Sequence, residues 1–485
     1  MTLPSRLGPL TLSLCLTACA TAPAPQTDVT VPRAWQGQVD TRAERPDAAW
    51  WRAFGSPELE RLVTRALANS QDLAAAVARV RQAQARATIA GAPLLPEVQL
   101  GVDASRQRLL RGEGYDQLDV DRAERTSTAF TTRLSARYEV DFWGGLRATQ
   151  TRAVRDLEAT RFDRQTVELT LLAAVADGYL QCLALNEQAR IAQLNLDNAR
   201  DVLAWVQTRQ QAGSATALEV AQQHSLVAAQ ARQLARLDQR LHEARIVLAT
   251  LLGDPVQALP SFDETLATLH WPRIDAGLPS DLLVRRPDIA AAEARLAAAS
   301  ANVQVARAAM LPQLVLGAEL GSGARTFADV MDSPYYTLTA GLLAPVFDRG
   351  RLRAGHTLAK AEQEELLHAY GASLLAGFAD VEQALNAIDG VEHQRRWQDE
   401  QARQAQIASD LAQQRYAAGA ETLLTVLDTQ RTLYQAQDEQ VQLRLARLQG
   451  AASLYKALGG GWSAASSPRP SARSPAVDAA APPLP

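Results

Sequence analysis

Apolar residues recur in two different periods along this sequence, and the order of the periods repeats once. Val98, Leu100, Val102 and Ala104 alternate with Glu97, Gln99, Asp103 and Ser105. Phe130, Leu134, Ala136, Tyr138, Val140 and Phe142 alternate in the same way with Thr131, Arg133, Ser135, Arg137, Glu139 and Asp141. Leu314, Leu316, Ala318 and Leu320 line one face of a third segment, and Tyr336, Leu338, Ala340, Leu342 and Ala344 line a fourth. A period of two predicts strands, here about 96–108, 127–142, 312–321 and 335–347, each with one apolar and one wet face. A membrane barrel and the edge of a soluble sandwich both give this alternation.

The other period is helical. From Thr149 to Ala212 there is no proline and a single glycine, Gly178; Ala354 to Ala418 also lacks proline but carries Gly355, Gly371, Gly377 and Gly390. Unbroken, each helix would run on the order of 90 Å, a length no ordinary domain needs. Gly213 and Gly419 supply left-handed helix stops, and Thr216 and Thr422 the N-caps of the helices that follow. The first restarted helix has a seam of Val227, Leu234, Leu237, Leu241, Ala244, Leu248 and Leu251 at coiled-coil spacing. The second echoes it weakly with Leu433, Ala436, Leu443, Leu454 and Ala457, because Arg447 and Gly450 stand where Leu241 and Ala244 do.

Sliding the chain against itself shows that these elements form a twofold repeat. Arg209, Gly213, Thr216, Leu218 and Val220 match Arg415, Gly419, Thr422, Leu424 and Val426 at one constant interval, and Leu252-Gly253 matches Leu458-Gly459 in the same register. Upstream, Asp72, Ala76 and Pro96 match Asp288, Ala292 and Pro312 at a longer interval. The first copy therefore carries about ten extra residues between Pro96 and Val140, best placed in the polar loop from Arg108 to Arg125 rather than in a strand. The copies span residues 49–270 and 271–462, each a helix, two strands and a long helical hairpin, turning at 213 and at 419.

Composition narrows the class. With 49 Lys+Arg against 53 Asp+Glu, the net charge of −4 argues against a nucleic-acid binder. The 47% hydrophobic share, with only 5% aromatic residues, rests on Ala and Leu, which suits long helices with close-packed seams. No run of about 18 apolar residues appears, which speaks against a helical membrane protein but not against a barrel. Four strands cannot close a barrel alone. Two chains would give a barrel filled by its own side chains, whereas three give twelve strands and an aqueous lumen. Each strand pair leaves from and returns to helices, so all the long helices project to one side of the membrane, where the N-terminus also lies.

The N-terminus has a single cation, Arg6, then an apolar stretch from Leu7 to Leu16, and ends Leu16-Thr17-Ala18-Cys19. Residues 1–18 read as an export signal. The ending resembles the bacterial lipoprotein box, in which Cys19 becomes the acylated N-terminus and is inserted in the membrane lipid; an ordinary cut beside Ala18 or Ala20 is the alternative. Cys182 then has no intrachain partner and reads as a small core residue. Residues 19–48 are Pro- and Ala-rich and are expected to form a flexible tether, and 463–485 a disordered tail.

The repeat, the element order and the segments WWRAFGSPELERLV (Trp50 to Val63), GLPSDLLVRRPDIAAAEARL (Gly277 to Leu296), RYAAGAETLLTVLDTQRTLYQAQ (Arg415 to Gln437) and LYKALGGGW (Leu454 to Trp462) resemble the TolC-type outer-membrane efflux family. More narrowly they resemble its lipoprotein, NodT-like branch. The resemblance implies a fold that is mainly α with a transmembrane β part: a homotrimeric 12-stranded barrel continued by a helical coiled-coil barrel. It implies partners as well, a periplasmic adaptor and a proton-driven RND pump, with drugs or other small toxic molecules as cargo. Type I secretion and metal efflux are nearer alternatives, and a lipid-anchored structural coiled-coil protein of the envelope is a more distant one.

A tunnel of this kind needs a gate at its periplasmic end. Leu424, Asp428 and Arg431 lie on one helix face at i, i+4 and i+7. Leu424 and Asp428 match gate positions of the family, with Leu218 and Gln222 in the corresponding places of the first copy. A solvated Asp with an Arg partner gives the same spacing. The turns with Arg209, Gly213, Arg415 and Gly419 are where an adaptor would dock, and simple helix stops are compatible with that role. Six histidines lack ligand spacing, and no metalloprotease, phosphate-loop or nucleophile-elbow motif occurs, so neither an enzyme nor a cofactor is expected.

Overall fold

The computed structural model describes residues 27–37, 47–108 and 126–462. After a short turn at Trp50–Phe54, the order is α1 (Pro57–Asn69), α2 (Gln71–Gly91), β1 (Glu97–Arg108), β2 (Thr126–Val140), α3 (Gly145–Gln211) and α4 (Ala217–Leu251). It then repeats as α5 (Pro287–Ala308), β3 (Gln313–Ala324), β4 (Pro334–Leu343), α6 (Arg351–Ala417) and α7 (Leu423–Ala457). Two compact units result. Of the described residues, one contains those within Ala87–Arg155 and Arg295–Gly371, the other those within Thr30–Arg86 and Asp156–Ala294 and those from Ala372 to Trp462.

The first unit is built on one antiparallel sheet in the order β1-β2-β3-β4. Its strand ends differ from the sequence expectation for local reasons. β2 stops at Val140 because the Asp141 carboxylate accepts from the backbone N–H groups of Leu146 and Arg147, at 2.9 and 3.1 Å, and so caps α3. β4 stops at Leu343, short of the expected 347, next to Pro345, which has no N–H to give a ladder. Asp348 accepts from Gly350 and Leu352, the same device at the start of α6. The connection between β1 and β2, which holds the expected insertion, lies outside the described residues.

The second unit is helical. α3 and α6 each run 67 residues without interruption. Among the described residues, α3 is the one helix long and apolar enough by composition to cross a membrane, a stretch the sequence reading passed over. Its apolar middle is core instead, with Val175, Ala176, Tyr179, Leu180, Cys182 and Leu183 buried. The expected seam of α4 packs here: Leu237, flanked by Leu234, Leu241 and Ala244, meets Leu185, Ala189 and Ala192 of α3. In the second copy the two breaks in the seam have partners. Gly450 lets Ile388 approach so closely that an added Cβ would lie 3.0 Å from it, and Arg447 stacks 4.0 Å over the ring of Trp271 while pairing with Glu392.

Residues 27–37, expected to be part of a free tether, are held in place. The Trp35 indole donates to the Gly277 carbonyl at 2.9 Å and meets Phe378 edge to face. The N–H groups of Gln36 and Gly37 donate to the two carboxylate oxygens of Glu382, at 2.7 and 3.1 Å. The signal, Cys19 and the tail beyond Trp462 lie outside the described residues.

Candidate functional site

The sheet register sorts most strand residues into an apolar and a polar face, with Thr132 and Ser322 on the first and Val315 on the second as departures. Directly paired residues share a face, so Val98, Leu100, Ala136, Leu134, Leu316, Leu320, Leu338 and Tyr336 lie on one side. On the other lie Glu97, Asp103, Arg133, Arg137, Glu139, Glu319 and Tyr335. Val98, Leu100, Val102, Tyr336, Leu338 and Leu342 are exposed in the single chain, a patch with no aqueous explanation. Among the described residues, no strand lies beside the outer edges of β1 and β4. An apolar band, a polar reverse face and two open edges suit a segment of a membrane barrel.

The helical hairpins end in matching turns. Gly213 and Gly419 have φ of 74° and 73°, the left-handed conformation the sequence predicts. Ser214 N–H donates to Arg209 O and Gly213 N–H to Gln210 O; Ala420 and Gly419 make the equivalent bonds to Arg415 and Tyr416. Both turns are Schellman motifs, and the helices restart on Thr216 and Thr422 as N-caps. Arg209 crosses to the other hairpin: its guanidinium donates to Tyr416 O and lies over the Tyr416 ring. Arg415 turns back on its own loop, toward Ala420 O and Glu421, because Gln210 stands where the first copy would need a tyrosine.

Leu424, Asp428 and Arg431 come together as the spacing predicts. They share a groove of about 640 Å³ between α3, α4 and α7 with Gln222 and Ser225, whereas Leu218 is exposed outside it. Arg431 and Asp428 approach to 3.9 Å and both are largely exposed. Such a pair leaves the carboxylate open to a ligand or to symmetry mates.

Three of the quoted sequence segments converge elsewhere. Arg286 is buried; its guanidinium donates to both Asp288 oxygens at 3.0 and 2.6 Å, to Asp380 at 2.8 Å and to the Ala457 carbonyl at 3.2 Å. Burial opposes the charge on Asp288, but the Arg286 fork outweighs it and holds that carboxyl below the usual carboxylate range. Trp50 stacks on Tyr455 with centroids 5.1 Å apart. Gly459, at φ 85°, sits against the Arg285 carbonyl, where an added Cβ would collide. From sequence, Arg285 and Arg286, beside the helix start at Pro287 and Asp288, are read as able to pair with carboxylates and without a transport role; the structure gives Arg286 two such pairs.

These features define an outer-membrane channel subunit. A family model described as outer membrane efflux protein matches residues 62–254 and 278–460, one match for each repeat. The chain belongs to the outer membrane efflux protein family. It is 65% identical over 470 residues to the pyoverdine export outer membrane protein OpmQ of Pseudomonas putida, covering 97% of this chain and 100% of that one. To the toluene efflux pump outer membrane protein TtgF, also from Pseudomonas putida, it is 32% identical over 85% of each chain. The solved outer-membrane channel OprN matches with a TM-score of 0.80 at 27% identity, covering 90% of this chain and 99% of that one. The protein is thus an efflux channel of the Gram-negative outer membrane. Channels of the family are homotrimers that work with a periplasmic adaptor and an inner-membrane pump. Four strands from each of three chains close the barrel; in such a barrel the apolar face suits lipid and the polar face suits the lumen.

Proposed function

We propose that this chain is the exit channel of a tripartite exporter whose cargo is a pyoverdine-type siderophore, rather than the drugs or toxic small molecules the sequence resemblance implies. The supporting observation is the gap between 65% identity to a pyoverdine exporter along its whole length and 32% to a toluene exporter. Fluorescence of the culture supernatant and of the periplasmic fraction tests this in a deletion strain. Supernatant fluorescence should fall while periplasmic fluorescence rises, and complementation should restore both. Unchanged secretion together with increased solvent or drug sensitivity would return the cargo to the drug class.

The same proposal gives Leu424, Asp428 and Arg431, with Leu218 and Gln222, the periplasmic gate. Leu424 supplies an apolar constriction and three Asp428 side chains an anionic ring. The turns at Gly213 and Gly419, with Arg209 and Arg415, receive the adaptor, and acylated Cys19 anchors the chain. Mass spectrometry of the mature N-terminal peptide tests the anchor, since an unacylated N-terminus at any other residue would refute it.

A further inference from the structure

The glycines of the sheet are not scattered. Gly101, Gly317, Gly321, Gly323 and Gly341 all fall on the polar face, and none on the apolar one. On four of the five a neighbouring side chain lies down in the space a Cβ would fill: Arg133 over Gly101, Thr339 over Gly317, Tyr335 over Gly321 and Thr131 over Gly323. Two of these side chains are long enough to matter to a lumen, and both stand on one rung. Arg133 pairs directly with Gly101 on one side and Gly321 on the other, and Gly321 pairs with Tyr335.

Each of the two is also tied down from an adjacent rung. Arg133 reaches Asp103 at 3.0 Å, and a Cβ on residue 101 would come within 3.2 and 3.3 Å of its Nε and Cγ. The Tyr335 hydroxyl donates to Glu319 at 3.0 Å, with its ring 2.5 Å from a Cβ at position 321. Exposed pairs of this kind contribute little stability, so their effect is one of position. Standing upright in a closed trimer, three arginines and three tyrosines would crowd one level of the bore. Laid over glycine, they leave the bore wide and each cation beside its counter-charge.

We propose that Arg133 and Tyr335 are the selectivity-setting residues of the barrel lumen, held flat by Gly101 with Asp103 and by Gly321 with Glu319. The rung thereby passes bulky cargo of mixed charge without presenting a free cation. The idea rests on the polar face lining the lumen.

A cysteine placed at Ser105, on the same face one rung beyond Asp103, reports the local potential in intact outer membranes. It is labelled from outside with an anionic and a cationic thiosulfonate of similar size, which makes the reading independent of the periplasmic gate. With S105C alone the two rates should be comparable. Adding Asp103→Asn should favour the anionic reagent several-fold, and adding Arg133→Gln to that pair should restore the first ratio. Gly101→Val keeps every charge but displaces Arg133, so it should shift the ratio in the same direction and slow both reagents. Heat-modifiable trimer bands on gels confirm assembly of each variant. Equal ratios in Asp103→Asn with and without Arg133, or a Gly101→Val variant with unchanged rates, would overturn the proposal. Failure of S105C to react with either reagent, when it reacts readily after denaturation, would instead remove this face from the lumen.

Discussion

The Arg209 guanidinium donates to the main-chain oxygen of Tyr416 at 2.8 Å and lies 4.6 Å over the centre of its ring, so the tip of one hairpin grips the last turn of the other. Cation–π contact and a charge-assisted hydrogen bond act on the same residue. The Tyr416 hydroxyl, by contrast, is buried without a hydrogen-bond partner among the described residues. Tyr416→Phe should therefore be neutral or slightly stabilising, whereas Arg209→Ala should cost about 1–2 kcal/mol of local stability and Tyr416→Ala, which empties a core position, about 3–5 kcal/mol. Hydrogen exchange at both turns measures this. Faster exchange in Tyr416→Phe than in Arg209→Ala would contradict it.

Arg286 ties α5, α6 and the end of α7 together through Asp288, Asp380 and the Ala457 carbonyl. Removing it strands two carboxylates and a carbonyl; because Asp380 is half exposed, the cost of Arg286→Ala falls near the low end for a broken buried pair, about 3 kcal/mol. Arg286→Lys should recover little, since a point charge cannot replace the fork. Chemical denaturation of the detergent-solubilised trimer distinguishes these outcomes.

Asp288 carries a matching pH dependence. Its carboxyl lies below the usual range in the folded chain, so the stability it contributes is present above the unfolded value near ~4 and is lost as pH falls through the lower folded value. Asp288→Asn should cost stability at neutral pH and narrow its difference from the parent under acid. A difference that stayed constant from neutral pH to acid would show that the fork does not depend on charge.

Asp177, itself exposed in the single chain but set among the buried apolar residues in the middle of α3, behaves in the opposite sense. Partial desolvation by its apolar neighbours raises its carboxyl above the usual range, and the hydrogen bond to Gln449 only partly offsets this. A raised folded value means that its contribution is complete below the unfolded value and is lost as pH rises through the folded one. Asp177→Asn keeps a partner for Gln449 without the charge. It should raise the melting temperature at pH 7, with the gain shrinking toward pH 4. A melting temperature lowered at pH 7 would show that the carboxylate has a stabilising partner.

For the gate, Asp428→Ala should raise closed-state conductance in planar bilayers and increase antibiotic leak. Its 3.9 Å contact with Arg431 is too exposed for the substitution to unfold the helix, so a folded trimer with parental conductance would remove Asp428 from the gate.

Much of this was legible in the sequence because it obeys local rules. Strand faces follow from alternation, and the hairpin stops at Gly213 and Gly419 follow from the need for a left-handed residue. Arg447 in a weakened seam was also a visible anomaly, but its partner Trp271 lies far away in the chain, and no spacing points to it. The same holds for Glu382, which receives the N–H groups of Gln36 and Gly37: a carboxylate serving backbone donors this remote leaves no periodic trace. At the gate, residues on one helix face were foreseeable. That Leu218 lies outside the groove depends on how two helices are rotated against each other, which residue spacing within one helix does not encode.

The stack of Trp50 on Tyr455 also orders events during biogenesis. Trp50 is almost wholly covered, in part by Tyr455 of the final helix. During export Trp50 therefore lacks the Tyr455 face of its cover until nearly all of the described chain has crossed the inner membrane. A polypeptide interrupted after α6 would keep that sticky patch on display, ready for a chaperone or a protease. Completion of the chain is thus its own licence to mature.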